Sequence, residues 1–141
     1  MFLVCGRFKA QVSLELALIF SAMLVFFALM VPSIQKASSL SSFVVSQSSM
    51  REALLVVSLR VEEAAVLGEG TSFSGFFFLP QESEVYYEDS FLFISSRFEG
   101  RVVVLKRSLT SSVYLNKGIL TRGTHSFTVV KTGGEVFVFF D

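Results

Sequence analysis

The residue types that perform chemistry are few in this chain and poorly spaced for it. Cys and His each occur once, as Cys5 and His125. A single Cys excludes an intrachain disulfide, and a single His excludes a multi-His metal site. Ser is abundant, yet no G-x-S-x-G is present and His125 has no triad setting, so His125 is expected to be an exposed residue at a strand edge. The segment Gly68-Glu69-Gly70-Thr71-Ser72-Phe73-Ser74-Gly75 is glycine-rich, as phosphate loops are. It lacks the third Gly of the dinucleotide spacing and has no G-K-[ST], so it is expected to be a linker. Glu82, Glu84, Glu88 and Asp89 surround Tyr86-Tyr87. Their oxygens are of the kind a hard cation takes, but a solvated loop is the expectation. No catalytic residue, cofactor or metal site is expected, and the chain is not expected to be an enzyme.

Charge narrows the partners. Lys and Arg number 12 and Asp and Glu 12, so the 141 residues carry no net charge. Nothing in that balance neutralises a phosphate backbone, and no nucleic-acid role is expected. With 52% of residues hydrophobic and 17 Phe, the chain has ample surface to bury, which argues against disorder.

The apolar residues are concentrated in the elements that would have to position any site. Residues 1–10 contain Arg7 and Lys9 and no acid. From Leu16 to Gln35 there are 20 consecutive uncharged residues, and Leu16–Val31 is apolar except for Ser21. At the helical rise this run is about 30 Å long, the thickness of the hydrocarbon layer of a bilayer. The segment is therefore expected to enter a membrane, with Arg7 and Lys9 on the cytoplasmic side and the C-terminal part outside.

Beyond Pro32 and Lys36, residues 38–49 contain seven Ser, which suggests a flexible linker by composition. The periodicity says otherwise. Leu40, Phe43, Val44, Gln47, Met50, Leu54, Val57, Val61 and Ala64 recur at spacings of three and four, with Arg51, Glu52, Ser58, Glu62 and Glu63 mostly off that stripe. One helix over residues 11–67 is expected, stopped at Gly68 and Gly70, with Pro32 as the candidate point of kinking. At about 85 Å, it exceeds what a small head needs.

After Gly70 the pattern becomes short β-branched and aromatic runs: 73–79, 84–87, 91–95, 101–106, 112–115, 126–131 and 135–140. Pro80, Glu99-Gly100, Asn116-Lys117-Gly118, Arg122-Gly123 and Gly133-Gly134 separate them as turn signals. Gly133-Gly134 has the form of a two-residue hairpin. The expected architecture is α+β: a long hydrophobic N-terminal helix, then a small antiparallel β-sheet head over 71–141. Val102–Leu105 and Val136–Phe140 are apolar on both faces, so each face is expected to be covered, by the upper helix or by another subunit. Phe76-Phe77-Phe78 is assigned to the core, with an exposed adhesive cluster as the alternative.

The most specific feature is Lys9-Ala10-Gln11-Val12-Ser13-Leu14-Glu15, set between the basic leader and the apolar run. It resembles the class III signal peptide of archaeal type IV pilin-like proteins: a basic residue, a small residue, Q-x-S-x-E, and an apolar helix. The resemblance covers residues 9 to about 31, and its pattern rests on Lys9, Gln11, Ser13 and Glu15. It implies cleavage between Ala10 and Gln11 by a membrane-embedded prepilin peptidase, leaving a mature chain that keeps its helix. Gln11 favours the archaeal group, since bacterial pilins usually begin with Phe. Pro32 falls at the 22nd mature position, where bacterial pilins tend to carry a helix-breaking Pro. No N-x-[ST] sequon is present, because the one Asn, Asn116, precedes Lys117-Gly118; the glycan coat common on archaeal pilins is not expected.

The resemblance also gives Glu15 a role. In pilin families the carboxylate at the fifth mature position pairs with the N-terminal amine of a neighbouring subunit. Here that amine would be on Gln11, and the pair would set the axial register of assembly. The alternative is an interfacial acid near the helix start, favoured by the helix dipole and without a partner. Leu3-Val4-Cys5 has the form of the end of a lipoprotein signal, but too few residues precede Cys5 for the apolar region such a signal needs. On the pilin reading Cys5 leaves with the leader.

The expected life history follows from the resemblance. A single-pass protein of the cell membrane loses residues 1–10, and an assembly platform and ATPase bundle its helices into a homo-oligomeric surface filament whose β heads face outward for adhesion. Two alternatives share much of this pattern: a minor or nucleating pilin, and a membrane-anchored or secreted extracellular binding protein that does not polymerise.

Overall fold

No glycine interrupts the chain between Arg7 and Leu67, and one helix, α1, runs over Val4–Val66 in the computed structural model. The structure describes residues 4–116 and 118–141, with side chains from Ser13 onward. By contacts, the chain divides into two units, Met1–Ser42 and Phe43–Asp141.

In the first unit every side chain from Ser13 to Ser38 is exposed, including Leu24 at 66% and Phe27 at 61%. The helix is long and apolar enough to cross a membrane. Two of its serines, Ser21 and Ser33, bond back to carbonyls of their own helix. Ser21 Oγ donates to Ala17 O at 2.8 Å, so the hydroxyl inside the apolar run is satisfied by its own helix. Pro32 lies inside α1 and the helix continues through it. A proline there removes one backbone donor and crowds the carbonyl four residues back, a cost of about 3 kcal/mol in an exposed helix. The kink expected from Pro32 is thus not a break in the helix.

In the second unit the helical stripe is covered from Met50 upward. Met50, Leu54, Val57, Val61 and Ala64 are buried, joined by Ala53. Below Met50 the cover is partial: Phe43 is half-buried with its ring edge-on to Phe98 at 5.4 Å and Ser46 is buried, while Val44 remains 60% exposed and, in the first unit, Leu40 65%. Ser58, expected off the stripe, is fully buried and donates to Leu55 O.

The head forms eight strands: β1 Ser72–Leu79, β2 Ser83–Glu88, β3 Phe91–Phe98, β4 Arg101–Ser108, β5 Val113–Leu115, β6 Ile119–Leu120, β7 Gly123–Thr132 and β8 Glu135–Phe140. They make two four-stranded sheets, β1-β7-β8-β5 and β4-β3-β2-β6, rather than the one sheet expected. All pairs are antiparallel except β5 with β8. The fold is α+β. Helix residues and the inner residues of both sheets, among them Phe77, Ile94, Phe127 and Phe140, form one hydrophobic cluster.

Local chemistry explains the turns. Gly133-Gly134 closes the β7–β8 hairpin with φ of 63° and 81°, the mirror-image turn geometry that matches strand twist. Glu99-Gly100 and Asp89-Ser90 do the same for β3–β4 and β2–β3, the second with positive φ at two residues that are not glycine. The helix has no basic residue in its last turn. Lys131 supplies one from β7: its Nζ donates to Ala65 O at 2.7 Å and to Leu67 O at 2.9 Å. That cation satisfies carbonyls at the negative end of the helix dipole. Glu69 completes the tie by accepting from Gly134 N at 2.8 Å.

Candidate functional site

The residues singled out for processing and register lie at the start of α1. The side chains of Lys9, Ala10 and Gln11 lie outside the described residues. Ser13 and Glu15 are exposed on the helix. Glu15 and Lys36 are the only charged residues between Ser13 and Met50, and they bracket the uncharged run. Neither makes a hydrogen bond or ion pair among the described residues. A helix in this form offers a smooth apolar column with an acid near one end and a base near the other. Exposing about fifteen large apolar side chains to water costs on the order of 1.5–3 kcal/mol each. The column therefore calls for a non-aqueous surround, lipid or other apolar helices.

On the head the reactive residue types are dispersed. No group of three or more His, Cys, Asp or Glu that could hold a metal ion occurs among the described residues. The acidic stretch is not a loop: Glu84 and Glu88 are exposed on β2, opposite Ser95 and Phe91, and Asp89 forms the turn that follows. At His125 only β1 pairs with β7, because the pairing with β8 begins at Phe127. His125 sits half-buried on β7, beside the Phe77 ring at 6.0 Å between centroids. Its Nε2 is 2.7 Å from Thr121 O and its Nδ1 is 3.2 Å from Asp141 O. A neutral imidazole has one N–H, so which of the two oxygens accepts depends on the tautomer, and the shorter contact fits an Nε2–H donating to Thr121 O, a structural role.

The Phe76-Phe77-Phe78 run divides between two faces. Phe77 is buried against Phe127 and Phe140, while Phe76 is 77% and Phe78 is 49% exposed. Successive side chains of a strand point to opposite faces, so three consecutive Phe cannot all enter one core. Val102 and Val104 on β4 are likewise exposed on their outer side. Two aromatic ladders, overlooked by the sequence reading, cover other parts of the outer faces. Tyr114, Phe137 and Phe139 stack in a row at 5.3 and 6.5 Å, and Tyr86 stacks on Phe93 at 4.8 Å. The signal was present as alternate aromatics at 137 and 139, but the contribution of Tyr114 depends on the parallel pairing of β5 with β8.

Tyr114 donates to Glu135 Oε1 at 3.2 Å, and the Glu135 carboxylate, through its charge and that hydrogen bond, holds the phenol above its ordinary value of 10.0. Folding therefore favours the protonated phenol. Between 10.0 and the higher folded value the unfolded chain binds fewer protons, so this contribution to stability is lost as pH rises through that window. In a titration followed by the ring resonances of the three tyrosines, Tyr114 is expected to ionise above its ordinary value, and Glu135→Gln is expected to bring it down. A Tyr114 that titrates identically in both proteins would sink this assignment.

Comparison with protein-family models, with curated proteins and with solved structures yields no match.

Proposed function

We propose that the chain is a structural subunit of an archaeal type IV pilus-like surface filament, held in the membrane by its N-terminal helix before assembly. The observation that carries this reading is the fully exposed apolar column of α1, headed directly by the Q-x-S-x-E residues Gln11, Ser13 and Glu15. A column of this kind is solvated first by lipid tails and then by the equivalent helices of other copies. The two surrounds are similarly apolar, so transfer between them costs little. Ser21 favours both states, since its hydroxyl bonds to its own helix and demands nothing of either surround. The β head, with outward-facing aromatics, would coat the filament and meet surfaces or cells. Prepilin peptidase, assembly platform and ATPase are the partners this life history requires.

The mature N-terminus tests the proposal. Sequencing of the chain recovered from the cell surface is expected to begin at Gln11, with the apolar segment retained. An intact leader on a protein that stays in the membrane would support a non-polymerising anchor instead, and a start beyond Val31 would support ordinary secretion.

A further inference from the structure

The first sheet ends on one side at β1, which pairs only with β7. The bond from Lys131 N to Thr71 O sets the phase of that pairing. Hydrogen-bonded positions alternate along an antiparallel pair, so Phe73, Gly75, Phe77 and Leu79 direct their backbone groups to β7. The N–H and C=O groups of Ser72, Ser74, Phe76 and Phe78 point the other way, and among the described residues nothing bonds to them.

Four edges flank the two sheets, and three carry devices that discourage pairing. β5 has three residues and β6 two. β4 is eight residues long but contains Arg101, Lys106 and Arg107. Shortness and cations are the usual protections of an exposed edge. β1 has eight residues, no charge and no proline, and two of its outward side chains are Phe76 and Phe78. It has neither device, and its outward Phe76 and Phe78 border a groove whose other wall is Ser49, Glu52 and Val56 of α1.

We propose that the β1 edge pairs antiparallel with the β1 edge of a second copy, joining the heads of subunits that belong to different filaments. The first half of this inference stands on the head alone, and the second rests on the filament reading. The register that uses every outward group places a two-fold axis at Gly75, with Ser72 opposite Phe78 and Ser74 opposite Phe76. It forms on the order of eight backbone hydrogen bonds. Between the two long edges meeting their own copies, charge selects β1. β1 meets itself with no like charges opposed, whereas β4 meeting itself would bring three cations of each copy together. The same pairing sets Phe76 diagonally against its counterpart and removes part of the exposed aromatic surface from water. A polar filament relates its subunits by a screw operation without two-fold axes. A two-fold contact therefore cannot form between neighbours of one filament, and it links one filament to another.

The test uses the full chain in lipid nanodiscs loaded with one copy each, so that stems cannot associate. Disc pairs are counted by sedimentation over a range of concentrations, and amide exchange is followed in the same samples. The expected result is concentration-dependent pairing in which the amides of Ser74, Phe76 and Phe78 slow, while those of Phe73, Gly75 and Phe77 are protected throughout. Phe76→Lys, at a side chain that is mostly in water, is expected to weaken pairing on the order of tenfold or more, and Ser74→Lys likewise. Val104→Lys on β4 is expected to leave it unchanged. Single discs at every concentration, pairs that leave the outward amides fast, or pairs that survive both β1 substitutions would each overturn the proposal. Because no filament is present in this assay, its failure leaves the filament reading standing, and the N-terminal sequence tests that reading separately.

Discussion

Gly75→Ala is expected to lower the thermal midpoint of the Phe43–Asp141 unit by about 10 °C, from a loss of about 2 kcal/mol. The backbone at Gly75 is not in the left-handed region, so an L-residue costs nothing in conformation there. The cost is contact. A Cβ built on Gly75 lies 2.6 Å from Phe127 Cε1 and 2.7 Å from its Cζ, and Phe127 is fully buried. The ring has little room to retreat, because Phe77 packs on it at 5.8 Å between centroids and both belong to the central cluster. Interiors packed to crystal density convert such an overlap into displaced neighbours. Phe127→Leu removes the struck atoms and by itself costs about 1 kcal/mol or more in lost burial. The double variant is therefore expected to be more stable than the sum of the two single losses allows. Thermal unfolding followed by near-ultraviolet circular dichroism of the full chain in micelles measures all three. Additive losses would show that the close approach of Gly75 to Phe127 is not the source of the effect.

Gly75 also marks what was legible before the fold was known. A glycine inside an otherwise aromatic strand signals a close approach to something, but not to which residue. The α1 stem was readable because 20 uncharged residues in succession admit few alternatives. The upper helix was readable because Met50, Leu54, Val57, Val61 and Ala64 keep a strict spacing. Gly133-Gly134 names its own turn, whereas Asp89-Ser90 adopts the same positive φ without glycine and went unnoticed as a turn. The division into two sheets, the short β6 and the parallel β5–β8 pair depend on contacts between residues far apart in sequence, which no local pattern encodes. The burial of Phe77 but not Phe76 or Phe78 is of the same kind, since composition is blind to which face of β1 turns inward. For the candidate site the situation is reversed. The motif at residues 9–15 is visible only as a motif, because exposure of Glu15 on a helix does not by itself distinguish a register device from an interfacial acid.

On the filament reading, Glu15→Ala is expected to reduce assembled filaments on the order of a hundredfold or more while leaving the membrane-held subunit at normal or higher abundance. The sign of the second effect follows from insertion. A carboxylate near the head of an apolar run is the one acidic group between Ser13 and Met50, and its removal makes the segment more apolar. The first effect follows from the partner. If Glu15 pairs with the α-amino group of Gln11 in a neighbour, deleting the carboxylate leaves that ammonium buried among apolar helices. Breaking one half of such a pair costs about 3–5 kcal/mol, far more than the intact pair contributes relative to an apolar contact. Glu15→Gln keeps length and an acceptor oxygen but not the charge, so it is expected to fall between the wild type and Ala. Glu15→Asp keeps the charge but draws it back by one methylene, and partial assembly is expected. The measurement is filament yield sheared from cells against subunit retained in membranes, by immunoblot, with the N-terminus of each fraction sequenced. Sequencing matters because Glu15 also belongs to the cleavage motif, and an uncut leader would lower filament yield without any loss of pairing. A Glu15→Ala chain that is cut before Gln11 and still assembles at normal yield would remove the carboxylate from the register altogether, leaving the apolar column of α1 to set it by packing alone.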